Sequence, residues 1–155
     1  MEEEQQHGRI LALDVGRKRI GLAVSDELGA TAQGLETFER TRIRDDLNKL
    51  KQLAGALKVG LLLVGKPLHM SGSESRQSEY TREFGDRLGE YAGLPVVYWD
   101  ERLTSAEAER ILQQAGANLE QRKAAVDRLA AVLLLESYLA SISSQADEAA
   151  GGQLG

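Results

Sequence analysis

The sequence predicts an α/β fold built on a mixed five-stranded sheet, and three patterns carry that expectation. Two apolar runs, from Gly8 to Val15 and from Arg19 to Ser25, are joined by the tight turn Gly16-Arg17-Lys18 and read as a β-hairpin. Val59 to Gly65 (VGLLLVG) and Leu94 to Trp99 (LPVVYW) are continuous apolar runs, the mark of strands covered on both faces. Between and after these lie helical periods, so strand and helix alternate through the second half and imply parallel pairing with right-handed crossovers.

The remaining elements follow from local pattern. Thr31 to Phe38 reads as a third antiparallel strand interrupted by Gly34. Ile43, Leu47, Leu50 and Leu57 recur at helical steps. Tyr80, Phe84, Leu88 and Tyr91 mark a second amphipathic helix that ends near Gly93, after the loop 66–74. Thr104 and Glu107 have capping-box spacing and open a helix reaching Gly116. A last helix is expected from about Gln121 to Ser141. Residues 8–142 are thus expected to form one domain, with disordered tails at 1–7 and 143–155.

Composition narrows the chemistry. With 155 residues, 42% apolar and 28% charged, the chain is an ordinary globule, without an uninterrupted apolar stretch to span a membrane. Its start, MEEEQQHG, has no apolar segment of the secretory kind. Zero cysteines exclude disulfides, thiolate catalysis and cysteine–zinc sites, and agree with a cytoplasmic location. The two histidines, His7 and His69, are too few for a histidine-rich centre, and His69 reads as a solvated loop residue. The net charge of −5 does not exclude nucleic acid, because all 19 Lys and Arg lie between residues 8 and 140, where acids equal them in number. Carboxylates are the groups left for catalysis.

Acids stand at three places that could form a site. Asp14 closes the first strand before a glycine turn, Asp100-Glu101 follows the last strand, and Asp127 shares a helix face with Ala130, Ala131 and Leu134. Strand ends at one edge of an α/β sheet are where ligand sites form. An unpaired buried carboxylate at Asp127 would cost several kcal/mol, which a bound cation would offset. Oxygen donors without cysteine or histidine suit Mg²⁺ or Mn²⁺, and such a cluster is equipment for two-metal phosphodiester hydrolysis. Each acid also has a plain alternative: Asp14 as a turn residue, Glu101 as a surface partner of Arg102, Asp127 as a first-turn acid of a late-starting helix.

Four blocks, in order, carry a resemblance. LALDVGRKRIGLAVSD, VGKPLHMSGSES, WDERLTSAEAE and VDRLAAVLLLESYL resemble the motifs of the YqgF/RuvX family from about Arg9 to Leu139. The resemblance implies an RNase H-like fold and an acidic triad of Asp14, Glu101 and Asp127 acting as catalytic and metal-binding residues. It also implies a nuclease maturing the 5′ end of precursor 16S rRNA or, by likeness to RuvC, a Holliday junction resolvase acting on branched or single-stranded DNA. Lys66 stands where the family often has an apolar residue and Ser71 where an Asp is common, both on a loop expected to face substrate.

Phosphate contacts are expected from Arg17 and Lys18 in the hairpin turn, from Lys66 and Arg102 after two strand ends, and from Arg122 and Lys123, whose charge opposes the dipole at a helix start. Trp99 reads as core and Thr104 as a cap. Resolution of a four-way junction calls for two sites related by a two-fold axis, hence a homodimer, for which Tyr80, Tyr91 and Leu133–Leu139 leave apolar area. Two other classes compete. The D-x-G turn also opens phosphate-binding hairpins in sugar kinases and actin-like ATPases, which need two such domains and would hydrolyse ATP. A catalytically silent nucleic-acid-binding module would bind without cleaving.

Overall fold

The computed structural model describes residues 8–66, 73–100, 110, 111, 113, 114 and 119–154. Its strands are β1 (Arg9–Val15), β2 (Arg19–Ser25), β3 (Ala32–Gly34), β4 (Phe38–Glu39), β5 (Val59–Gly65) and β6 (Val96–Trp99). Its helices are α1 (Ile43–Ala56), α2 (Ser73–Ala92) and α3 (Leu119–Leu154). The helix expected from Thr104 lies largely outside the described residues. No described helix is long and apolar enough to cross a membrane.

The sheet is mixed, in the order β3-β2-β1-β5-β6, with β4 also on β2. Strand β1 is central: it pairs antiparallel with β2 and parallel with β5, and β5 pairs parallel with β6. The sheet has six strands rather than five because the third expected strand is broken. Gly34 pairs with Ala23 and Phe38 with Ile20, so Leu35, Glu36 and Thr37 oppose only Gly21 and Leu22. One surplus residue has to leave the ladder there, as in a β-bulge.

Alternation along the strands builds two cores. Leu11, Leu13, Val15, Ile20, Leu22, Val24, Leu62 and Val64 face α1 and α2, where Leu47, Leu50, Phe84 and Leu88 close the layer. Ala12, Ala23 and Leu63 face the other way, against Ala131, Leu134 and Leu135 of α3. Each large side chain so buried contributes about 1.5–3 kcal/mol. Ala12, Gly21 and Ala23 add little bulk to the α3 face of β1 and β2, and the helix approaches most closely at Gly21. Of the residues expected to leave area for a second copy, Leu134 and Leu135 are buried and Tyr80 packs on the core, while Tyr91 stays exposed. Helix α3 runs to Leu154, beyond the expected end near Ser141. Its extension is free of proline, and only Gly151 and Gly152, close to its end, disfavour the helix strongly.

Candidate nuclease site

The C-terminal ends of β1, β5 and β6 lie at one edge of the sheet. Leu13 is level with Val64, and Gly65 with Trp99, so Asp14 and Trp99 end at the same height two strands apart. Period-two alternation puts Asp14 with Ala12 on the α3 face. The turn beyond it is held from behind. The Gly16 amide donates to the Arg19 carbonyl at 2.9 Å, and a Cβ on Gly16 would stand 2.6 Å from that oxygen, which explains the glycine. The Gly16 carbonyl accepts from Arg40 Nη1 at 3.0 Å, and the Lys18 carbonyl accepts from the Arg40 amide at 2.9 Å.

Arg40 is itself fixed. Its guanidinium lies 4.6 Å from the centre of the Phe84 ring, donates to the Tyr80 hydroxyl and pairs with Asp46 Oδ2 at 3.4 Å. Asp46 also accepts from the Thr41 amide at 2.9 Å. Gln77 of α2 reaches the Val15 carbonyl. A buried ion pair and one helix therefore shape the turn that follows Asp14.

Asp127 arrives from the opposite layer. Asp14 pairs in register with Gly21 on β2, and the space over Gly21 is filled by the backbone of Asp127, so close that any Cβ there would overlap its carbonyl oxygen. The structure thus seats the backbone of Asp127 over the register partner of Asp14. Asp127 lies well inside α3, which begins at Leu119, so the first-turn reading of this acid is ruled out. Nor is it unpaired: Arg19 Nε donates to Asp127 Oδ2 at 3.1 Å. Burial nevertheless pushes the Asp127 carboxyl above its ordinary pKa, against the lowering effect of Arg19 and with a further push from Glu39. We expect Gly21→Ala to force α3 off the sheet and cost about 1–3 kcal/mol, checked by urea denaturation. An unchanged midpoint would mean that the helix does not rest there.

The other expected residues fall into separate places. Glu101, Arg102, His69, Ser71 and Thr104 lie outside the described residues, as do the side chains of Arg122 and Lys123. Among the described residues, no three His, Cys, Asp or Glu groups converge to hold a metal. Arg17 and Lys18 are exposed on the turn, with Arg17 4.8 Å over the Tyr80 ring. The Lys66 ammonium rests 5.0 Å over the Tyr98 ring, on the α2 side of the sheet and away from Asp127. Tyr98 is held by hydrogen bonds to Asp86 and the Arg82 carbonyl. Burial, then Asp86, pushes its phenol far above the ordinary value. Trp99 is partly buried, packs edge-on against Tyr138 at 5.2 Å beside the α3-side core and donates to Ser137. Sequence reasoning missed Arg19 and Arg40; alternation with Gly21 and Ala23 could have put Arg19 on the α3 face.

A central strand with a tight hairpin beside it, and a last helix laid across the same face of the mixed sheet, give an RNase H-like fold. Solved structures of this fold include Thermus thermophilus RuvC in complex with Holliday junction substrate, at TM-score 0.54 and 17% identity over 86% of this chain and 96% of that one. The fowlpox virus resolvase, in complex with substrate Holliday junction DNA, follows at TM-score 0.52 and 14% identity over 86% and 98%. The family model RuvX, described as Holliday junction resolvase, matches residues 8–141. Relatives named "Putative pre-16S rRNA nuclease" include one from Koribacter versatilis, 49% identical over 89% of this chain and 90% of its own length. Another, from Agathobacter rectalis, is 42% identical over 88% and 97%. The chain belongs to the RuvX family.

Proposed function

We propose that residues 8–142 act as one metal-dependent nuclease domain that hydrolyses phosphodiester bonds in the 5′ leader of precursor 16S rRNA. The observation that supports this reading is the Asp127 backbone seated over Gly21, the register partner of Asp14, on the α3 face of the sheet. Glu101, two residues after Trp99 in the sequence, would complete the set. The residues present suit a hard divalent cation: the donors are carboxylates, and burial makes the ionised form of Asp127 costly without extra positive charge. Asp14, Glu101 and Asp127 would hold Mg²⁺ or Mn²⁺, and the chemistry such ions supply is acidification of a water and neutralisation of charge on the scissile phosphate. Arg17 and Lys18 would meet phosphates beside the turn, with Lys66, Arg102, Arg122 and Lys123 further along the strand path.

The family description and the RuvC-like fold favour a second reading, a junction-resolving DNA endonuclease working as a homodimer. One experiment separates the two. Purified protein is incubated with a precursor rRNA leader, single-stranded RNA and DNA, and a four-way junction, in Mg²⁺, Mn²⁺ or EDTA. We expect cleavage of the leader in either metal and none in EDTA, weakening steeply with added salt as phosphate contacts release counterions. Preferential symmetric cutting of the junction would support the second reading. Undiminished cleavage in EDTA would sink the metal mechanism.

A further inference from the structure

Arg19 is a cation already resident at the proposed metal site. Its guanidinium donates to Asp127 Oδ2 at 3.1 Å, and both side chains are only partly exposed, at 35% and 26%. It projects from the same face of β2 as Gly21, whose register partner is Asp14. Its own partner across the ladder is Glu39, so the row Glu39, Arg19, Asp127 alternates in sign. An arginine does not lose its proton at any working pH. A divalent ion at Asp127 would therefore stand beside a fixed positive charge and compete with it for the same carboxylate.

Building on the nuclease reading, we propose that Arg19 is a positioning residue. It holds Asp127 as an ion pair before metal binds, releases it to the divalent ion, and then pairs with a phosphate of the nucleic acid. The release follows from like-charge repulsion at short range. The new partner follows from guanidinium geometry, whose paired N–H groups match two phosphate oxygens. The pair thus keeps Asp127 neutralised in the metal-free protein and couples metal binding to engagement of substrate.

The test is direct Mn²⁺ binding, read from the electron paramagnetic resonance of free Mn²⁺ in protein without nucleic acid. Wild type, Arg19→Gln, Arg19→Lys, Asp127→Asn and the double variant Arg19→Gln/Asp127→Asn are compared, with thermal melts to establish that each is folded. Removing a partly exposed competing charge should tighten Mn²⁺ binding about two- to fivefold in Arg19→Gln. Arg19→Lys, which keeps the charge, should bind like wild type. In the Asp127→Asn background Arg19→Gln should change nothing further. The same Arg19→Gln protein should raise KM for nucleic acid more than it lowers kcat. Weaker Mn²⁺ binding in Arg19→Gln would overturn the proposal, since Arg19 would then merely orient a ligand. Unaltered Mn²⁺ binding in Asp127→Asn would overturn the nuclease reading at this residue, and the inference with it.

Discussion

Asp46→Ala should lower stability by about 3–5 kcal/mol, the cost of removing one partner from a buried ion pair. The Asp46 side chain is 1% exposed and its partner Arg40 8%. Alanine would leave the guanidinium between Tyr80 and Phe84 without its carboxylate and strand the Thr41 amide, which now donates to Asp46 Oδ1. Urea denaturation measures the loss as a fall in midpoint at constant slope. A second variant asks what the pair does for the site. Arg40→Met/Asp46→Leu removes both charges and fills the space, so much of the stability should return. Its turn would still lack the hydrogen bond from Arg40 to the Gly16 carbonyl, so cleavage should stay impaired while the fold recovers. An Asp46→Ala protein that melts like wild type would show that the pair contributes little.

The strands of this fold were legible because their patterns are local. VGLLLVG can be a doubly covered strand without reference to anything else in the chain, and the hairpin is written in a glycine turn between two apolar runs. The broken third strand was not, since the surplus residue among Leu35, Glu36 and Thr37 is surplus only relative to Gly21 and Leu22 on its partner. The candidate site divides in the same way. Asp127 could be placed on the buried face of its helix by periodicity with Ala130, Ala131 and Leu134, all within one element. That it rests on Gly21, opposite Asp14, depends on how the last helix crosses the sheet, which no spacing encodes. Alternation could put Arg19 on the α3 face, but its partner there, Asp127, and the place of Arg40 beneath Gly16 depend on the packed structure, which leaves Arg17 and Lys18 exposed on the turn.

Asp127→Asn should abolish cleavage, by more than about a hundredfold, while leaving the metal-free fold equally or more stable at neutral pH. The loss of a direct ligand should exceed the ten- to hundredfold effect usual for groups that only support one. The stability sign follows from the direction of the carboxyl shift. Burial raises the folded-state pKa of Asp127 above its ordinary value of 3.8, outweighing the pull of Arg19. Between 3.8 and the raised value the folded protein therefore holds a proton that the unfolded chain has released. This group's contribution is most favourable below that window and is lost as pH rises through it. Asparagine keeps the shape and cannot ionise. The difference in stability between variant and wild type should then move in the variant's favour as pH climbs through the window, and stay level above it. Added Mn²⁺ should stabilise the variant less than wild type, because linked stabilisation follows affinity for the folded state. Thermal melts across pH, with EDTA and with Mn²⁺, beside a cleavage assay, give all three readouts. If Asp127 served only its ion pair with Arg19, the same substitution would cost up to about 1 kcal/mol and leave cleavage intact. An active, destabilised variant would remove Asp127 from the metal site.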